Sequence, residues 1–142
     1  MPRLSFDLDL LRLPAIAAPM TGVSTPQLVA EACAAGIIGA FPTSNAPSSA
    51  ALHEWFDEID QLLAARPTVR PTAPIIANLI VGRQNQRLDA DVAEVIAQHV
   101  QIVITSVGSP APVIEPLHQA GTFVFADVAS LTHARKIGRA HV

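Results

Sequence analysis

Residues 75–105 read IIANLIVGRQNQRLDADVAEVIAQHVQIVIT, and this stretch decides the fold class. Two short apolar runs, residues 75–81 and 102–105, flank a segment in which Val92, Val95 and Ile96 recur at helical spacing. The runs are apolar at nearly every position rather than at alternate ones, as is typical of parallel strands covered on both faces. The stretch therefore predicts a strand–helix–strand unit of a parallel sheet.

The same alternation extends in both directions along the chain. Further apolar runs cover residues 14–18, 37–41 and 122–128, and a helical pattern follows each of the five runs. Thr25 and Gly36 suit the two ends of the first helix, as N-cap and C-cap. A closed (β/α) barrel and an open doubly wound sheet both fit this pattern. No Gly-x-Gly-x-x-Gly follows the first run, which weakens a dinucleotide-binding interpretation.

Composition limits the function classes. The chain has 142 residues, 50% hydrophobic and 15% charged, with a net charge of −3, which predicts one domain with a sizeable core. The lack of a basic stripe argues against a nucleic-acid partner. The first seven residues carry no apolar signal segment, and no stretch approaches the ~18 apolar residues of a membrane span. With Cys33 as its one cysteine, the chain is predicted to be cytoplasmic and free of internal disulfides.

The carboxyl ends of the runs are where a site forms in either architecture. Asn78 lies within the third run, Ser106 and Gly108 follow the fourth, and Asp127 lies late in the fifth. A buried amide must be hydrogen-bonded, so Asn78 contacts either a ligand or a neighbouring strand. Ser106 and Gly108 also suit a tight turn, and Asp127 also suits a helix cap, so these alternatives stay open.

The histidines do not share this placement. His53, His99, His118 and His133 fall in helical patterns or at helix ends, and His141 is near the end of the sequence. We interpret them as solvated surface residues. No group of His, Cys and carboxylates has metal-ligand spacing, and no nucleophile motif such as Gly-x-Ser-x-Gly occurs, so we predict no metal site.

Five segments, taken in order, resemble the nitronate monooxygenase family, once called 2-nitropropane dioxygenases. The segments are residues 13–26 (LPAIAAPMTGVSTP), 34–40 (AAGIIGA), 77–79 (ANL), 104–110 (ITSVGSP) and 125–128 (FADV). They are similar to the family's opening signature and to the ends of its next four strands. The resemblance covers roughly residues 10–136.

The resemblance implies a partial (β/α)8 TIM barrel, comprising the first five β/α units of an FMN-dependent barrel that binds FMN non-covalently. The residues that it places at the flavin are Pro19, Met20, Thr21, Asn78, Ser106 and Asp127. The first three would line the isoalloxazine ring with their backbone, and Asn78 would contact the flavin with its side chain. Ser106 and Asp127 would edge the pocket, although some relatives carry a lysine at the position of Asp127. The implied activity is oxidation of alkyl nitronates, with a nitronate-like small molecule and dioxygen as partners.

Other interpretations remain at this point. A flavin-dependent enoyl-acyl carrier protein reductase shares the fold and the early motifs. A non-flavin barrel lyase or isomerase, and a non-catalytic α/β domain, also fit the pattern.

The resemblance further implies a longer protein. The family's catalytic histidine lies in an Ala-Gly-Gly-His segment after the sixth strand, and glycine-rich phosphate loops follow later strands; neither occurs in this sequence. We therefore expect no catalytic residue within the chain. We also expect residues 1–136 to be the N-terminal part of a barrel flavin domain. Residues 137–142 (IGRAHV) match a sequencing adapter translated in one frame, and we expect them not to be native.

Overall fold

Five strands alternate with five α-helices along the part of the chain that the structure describes. The computed structural model describes residues 8–66 and 71–140. The strands are β1 (Ile16–Ala17), β2 (Ile38–Pro42), β3 (Ile75–Ile80), β4 (Ile102–Ser106) and β5 (Phe123–Ala126). The helices are α1 (Pro26–Ala34), α2 (Ser49–Ala64), α3 (Leu88–Ala97), α4 (Ala111–Gln119) and α5 (Leu131–Ala140). Short 3-10 turns cover Leu8–Leu10 and Thr43–Asn45.

The sheet is parallel, and its strands lie in sequential order, β1-β2-β3-β4-β5. Sequential order with a helix after each strand is the arrangement of a (β/α) barrel, whereas a doubly wound sheet reverses its order at a switch point. The sheet is also curved, because Pro19 after β1 and Asp127 after β5 line one hollow although three strands separate β1 from β5. The predicted fold class, a partial barrel of five β/α units, is confirmed.

The two faces of the sheet carry different side chains. On the outer face, Phe41, Leu79 and Val103 pack with residues of the surrounding helices in the main apolar core. On the inner face, a smaller cluster contains the buried side chains of Ile38, Ala40, Ile76 and Ile102. Asn78 follows Ile76 by two residues, and side chains alternate along a strand, so its amide belongs to the inner face.

Local signals set most helix ends. The Thr25 side chain accepts a hydrogen bond from the Leu28 N–H and begins α1, as its sequence context predicts. Gly36 lies one residue beyond the C-cap of α1 and adopts φ +81°, the left-handed conformation in which glycine commonly ends helices. The Ser130 hydroxyl accepts from the His133 N–H at the start of α5. Ser130 therefore occupies the capping position that the sequence left open for Asp127.

Strand bounds differ from the apolar runs at both edges of the sheet. β1 keeps only two residues of the run 14–18, because Pro14 has no N–H and the Ala15 N–H turns back to the Leu13 carbonyl. β5 begins after Thr122, whose hydroxyl bonds the Val100 carbonyl instead. Helix α5 follows β5 and reaches Ala140.

Some sequence-based expectations fall outside the described residues. One is the lack of an apolar signal segment in the first seven residues. The others concern the last two residues, His141 and Val142. The expectation that residues 137–142 are not native stays a prediction. Across the part of the chain that the structure describes, no helix has both the length and the apolar character needed to cross a bilayer.

Candidate functional site

A hollow of about 460 Å3 opens at the carboxyl ends of the strands. It is lined by Ala18, Pro19, Asn78, Ile104, Ser106, Phe125, Ala126 and Asp127. These residues come from β3, β4 and β5 and from the positions just after β1 and β5. Small-molecule sites commonly measure about 300–1,000 Å3, so the hollow has the size of such a site.

Four of the six residues that the sequence places at the flavin meet around this hollow. They are Pro19, Asn78, Ser106 and Asp127. Met20 and Thr21 are not among the residues that line it, and Met20 is 41% exposed. A ligand role for the backbone of Met20 and Thr21 therefore stays a prediction.

Asn78 is the most buried polar residue of the hollow, at 5% exposure. Its Nδ2 donates to the Ile104 carbonyl at 3.1 Å and to the Ser106 hydroxyl at 3.0 Å. The Ser106 hydroxyl in turn lies 3.4 Å from Asn78 Oδ1 and donates to it. The amide thus bonds the neighbouring strand and faces the hollow at once. Oδ1 has only this one long bond, so it retains capacity to accept from a ligand.

Asp127 is the one ionisable residue among the described residues that line the hollow. Its backbone N–H donates to the Thr105 carbonyl at 2.8 Å, which extends the β4–β5 ladder by one residue. The buried Thr105 hydroxyl donates to the Phe125 carbonyl at 3.2 Å and steadies the same pair of strand ends. Among the described residues that line the hollow there is no lysine, arginine or histidine. The site therefore favours ligand groups that donate N–H bonds and offers no cation to a phosphate.

A contact between two loops, which the sequence analysis missed, holds the segment after β1. The Asn45 side chain, in the turn after β2, accepts from the Gly22 N–H and donates to the carbonyls of Met20 and Ser24. The buried Ser24 hydroxyl accepts from the Met20 N–H at 3.0 Å. The signal that could have found Asn45 is its place in the sequence, since it follows the second apolar run as Ser106 follows the fourth.

The loop after β4 is held in a strained conformation beside Ser106. Val107 has φ +61°, a left-handed conformation that is unfavourable for a β-branched residue, and its side chain is 71% exposed. Gly108 comes close to β3, since a Cβ there would lie 3.2 Å from the Val81 carbonyl oxygen. Close approach of the two loops fixes Ser106 at the rim of the hollow.

Ionisable groups elsewhere do not form a second catalytic cluster. His53 Nδ1 lies 2.8 Å from Glu94 Oε1, and this hydrogen bond, followed by the charge of Asp57, raises the pKa of the exposed imidazole. Burial raises the pKa of the Cys33 thiol to about 11, so it is an unreactive core residue. Within the described ranges no group of three or more metal-ligating side chains occurs.

A second hollow, of about 570 Å3, lies at the opposite, amino ends of the strands. Leu10, Phe56, Leu63, Ile75 and His99 are among its lining residues. It is larger than the first, but barrel enzymes build their sites at the carboxyl ends of the strands. We therefore assign the candidate site to the smaller hollow, where the buried amide and the carboxylate converge.

A curved parallel sheet in sequential order, with helices outside and a polar hollow at its carboxyl edge, is part of a (β/α) barrel, and the hollow is its candidate small-molecule site. Among solved structures, FabK from Thermotoga maritima matches 95% of this chain with a TM-score of 0.76 and 29% identity. A point mutant of the same protein matches equally, with a TM-score of 0.76, 29% identity and 95% of this chain covered. The chain spans 40% and 43% of these two structures. No protein-family model and no curated protein matches the chain.

Proposed function

We propose that this chain forms the first five β/α units of an FMN-dependent oxidoreductase, and that the hollow at the carboxyl edge holds the isoalloxazine ring. The observation that carries the proposal is the convergence of Pro19, Asn78, Ser106 and Asp127 around one hollow. Similarity to FabK, a flavin-dependent enoyl-acyl carrier protein reductase with a TIM-barrel fold, supports it.

The lining residues fit the two edges of an isoalloxazine ring. The ring has a pyrimidine edge with an N–H and carbonyl oxygens, and an apolar benzenoid edge. Asn78, Ser106 and Asp127 offer acceptors and a hydroxyl donor to the first edge. Pro19 and Phe125 offer apolar surface to the second. When bound, the flavin supplies the electron-transfer chemistry, and these residues bind and orient it.

Two substrate classes are candidates for the whole protein. The five segments that resemble the nitronate monooxygenases support oxidation of an alkyl nitronate by dioxygen. The similarity to FabK favours reduction of an enoyl thioester carried by acyl carrier protein. Neither a histidine nor a lysine is among the described residues of the hollow, so Asp127 is the candidate proton-transfer group among its described lining residues.

Fluorescence anisotropy of FMN, measured while the concentration of the chain is raised, tests flavin binding. We expect a saturable rise that the variant Asn78→Ala weakens, whereas FMN mixed with the urea-unfolded chain shows none. A flat response up to millimolar protein would contradict the proposal.

The two substrate classes are tested with the same chain in the presence of added FMN. We expect neither oxygen uptake with an alkyl nitronate nor oxidation of reduced nicotinamide with an enoyl thioester to exceed the rate with FMN alone. Turnover of either substrate would contradict the expectation that the chain holds no catalytic residue, and would identify the substrate class directly.

A further inference from the structure

We propose that Asn45 is a positioning residue for flavin binding, because it fixes the loop after β1 in the conformation that places Pro19 at the hollow. The inference rests on the proposed flavin function and adds a residue from a different loop. Asn45 does not line the hollow itself, so its effect is exerted through Pro19 and the backbone that follows.

The Asn45 side chain makes three hydrogen bonds to this loop. Oδ1 accepts from the Gly22 N–H at 3.0 Å. Nδ2 donates to the Met20 carbonyl at 3.0 Å and to the Ser24 carbonyl at 2.9 Å. One amide thereby joins three backbone groups that lie 21 to 25 residues away in the sequence.

Within the loop after β1 the N–H groups of Val23 and Ser24 donate to the Met20 carbonyl, but among the described residues only the Asn45 side chain hydrogen-bonds this turn to a distant part of the chain. β1 is two residues long and pairs only through Ile16 and Ala17 with β2. Beyond it, Met20 and Val23 are largely exposed, so apolar packing does not define the backbone path. Gly22 adopts φ +71°, a conformation that glycine also leaves easily. The polar contacts made by Asn45 and by the Ser24 hydroxyl therefore hold the loop in place.

Loss of these contacts should weaken FMN binding. A loop that becomes ordered only when FMN binds costs free energy at that step, and this cost lowers the affinity. In Asn45→Ala all three bonds disappear. In Asn45→Asp the acceptor for Gly22 remains, but a carboxylate oxygen replaces the donor and faces the carbonyls of Met20 and Ser24. In Asn45→Ser a short hydroxyl can restore at most part of the set. We expect FMN affinity to fall about tenfold in the alanine and aspartate variants and less in the serine variant.

Asn85 provides a matched control. Its Nδ2 donates to the Ile80 carbonyl at 2.8 Å, and its Oδ1 accepts from the Arg87 N–H at 3.0 Å. It thus ties down the loop after β3 at the same edge of the sheet, without lining the hollow. Asn85→Ala should lower the melting temperature as Asn45→Ala does, but leave the FMN affinity within about twofold of the wild type.

The experiment combines FMN anisotropy titrations of the full chain with amide hydrogen exchange. In Asn45→Ala we expect weaker FMN binding and faster exchange at Gly22, with unchanged exchange at Thr105. Wild-type affinity in the folded Asn45 variants, despite faster exchange at Gly22, would overturn the positioning role and leave the flavin proposal intact. If Asn45→Ala does not fold, the serine variant decides, and wild-type affinity there overturns the role. Absence of FMN binding by the wild-type chain would overturn both.

Discussion

Replacement of Asn78 by alanine separates the contribution of this residue to the stability of the fold from its contribution to flavin binding. The amide is 5% exposed and donates at 3.1 Å and 3.0 Å to the Ile104 carbonyl and the Ser106 hydroxyl. A buried partner left without its hydrogen bond costs about 1–3 kcal/mol. Ser106 can rotate towards the hollow, and Ile104 is also paired in the β3–β4 ladder, so neither partner is left wholly without a hydrogen bond. We therefore expect the free energy of unfolding to fall by about 0.5–1.5 kcal/mol, the usual net contribution of a hydrogen bond.

The effect on flavin adds to this loss of stability. If Asn78 also bonds the ring, the variant loses a further contact worth about 1–3 kcal/mol, which corresponds to about 5–150-fold weaker FMN binding. Urea unfolding followed by circular dichroism measures the first effect, and FMN anisotropy on the folded protein measures the second.

Thr122→Val is the control for this experiment. Thr122 is 3% exposed and donates to the Val100 carbonyl at 2.9 Å, just before β5 at the amino ends of the strands. Its valine variant loses a buried hydrogen bond of the same kind far from the hollow, so stability falls while FMN affinity does not. Equal FMN affinity of the Asn78→Ala and Thr122→Val variants would refute a flavin contact by Asn78.

Three further predictions concern packing, pH and the ligand. Gly39→Ala should lower the free energy of unfolding, measured by urea denaturation, by about 1–3 kcal/mol, because the new Cβ would lie 2.6 Å from the Val29 carbonyl oxygen. The control is Gly138→Ala, where a new Cβ would meet no atom within 4 Å and should not lower it. Because the pKa of His53 is raised above 6.5, its pairing with Glu94 stabilises the fold fully below about pH 6.5 and is lost as the pH rises through the folded-state pKa. The stability advantage of the wild type over His53→Gln should therefore shrink from about pH 5 to about pH 9, and an advantage that grows with pH would contradict this. Riboflavin should bind with an affinity similar to that of FMN, because no cationic side chain is among the described residues that line the hollow; much tighter binding of FMN would argue against the assigned site.

Most of the fold follows from local sequence patterns. The apolar runs around Ile76 and Ile102 predict parallel strands, because a strand covered on both faces needs apolar side chains at successive positions. The ends of the edge strands were harder to predict. β1 depends on a single partner strand and on a turn at Pro14, and neither is visible in hydrophobic periodicity. The choice of a barrel over an open sheet needed the strand order, which the periodicity alone does not contain.

The candidate site was predictable to the extent that it depends on position along a strand. Asn78, Ser106 and Asp127 follow from the rule that carboxyl ends of parallel strands share one edge. Asn45 was missed because its role lies in contacts to a loop more than 20 residues away in sequence. That Met20 does not line the hollow could not be read from the sequence either, since the path of its loop depends on such long-range contacts. Capping of α5 by Ser130 rather than Asp127 is likewise a matter of backbone geometry.

The most direct test of the flavin site is a titration of the isotope-labelled chain with FMN, followed residue by residue through its backbone amide NMR signals. The account predicts saturable shifts that cluster at Ala18, Asn78, Ser106 and Asp127, the residues around the hollow at the carboxyl edge. Shifts that cluster instead at Leu63 and His99 around the opposite hollow, or no saturable shifts at all, would contradict it.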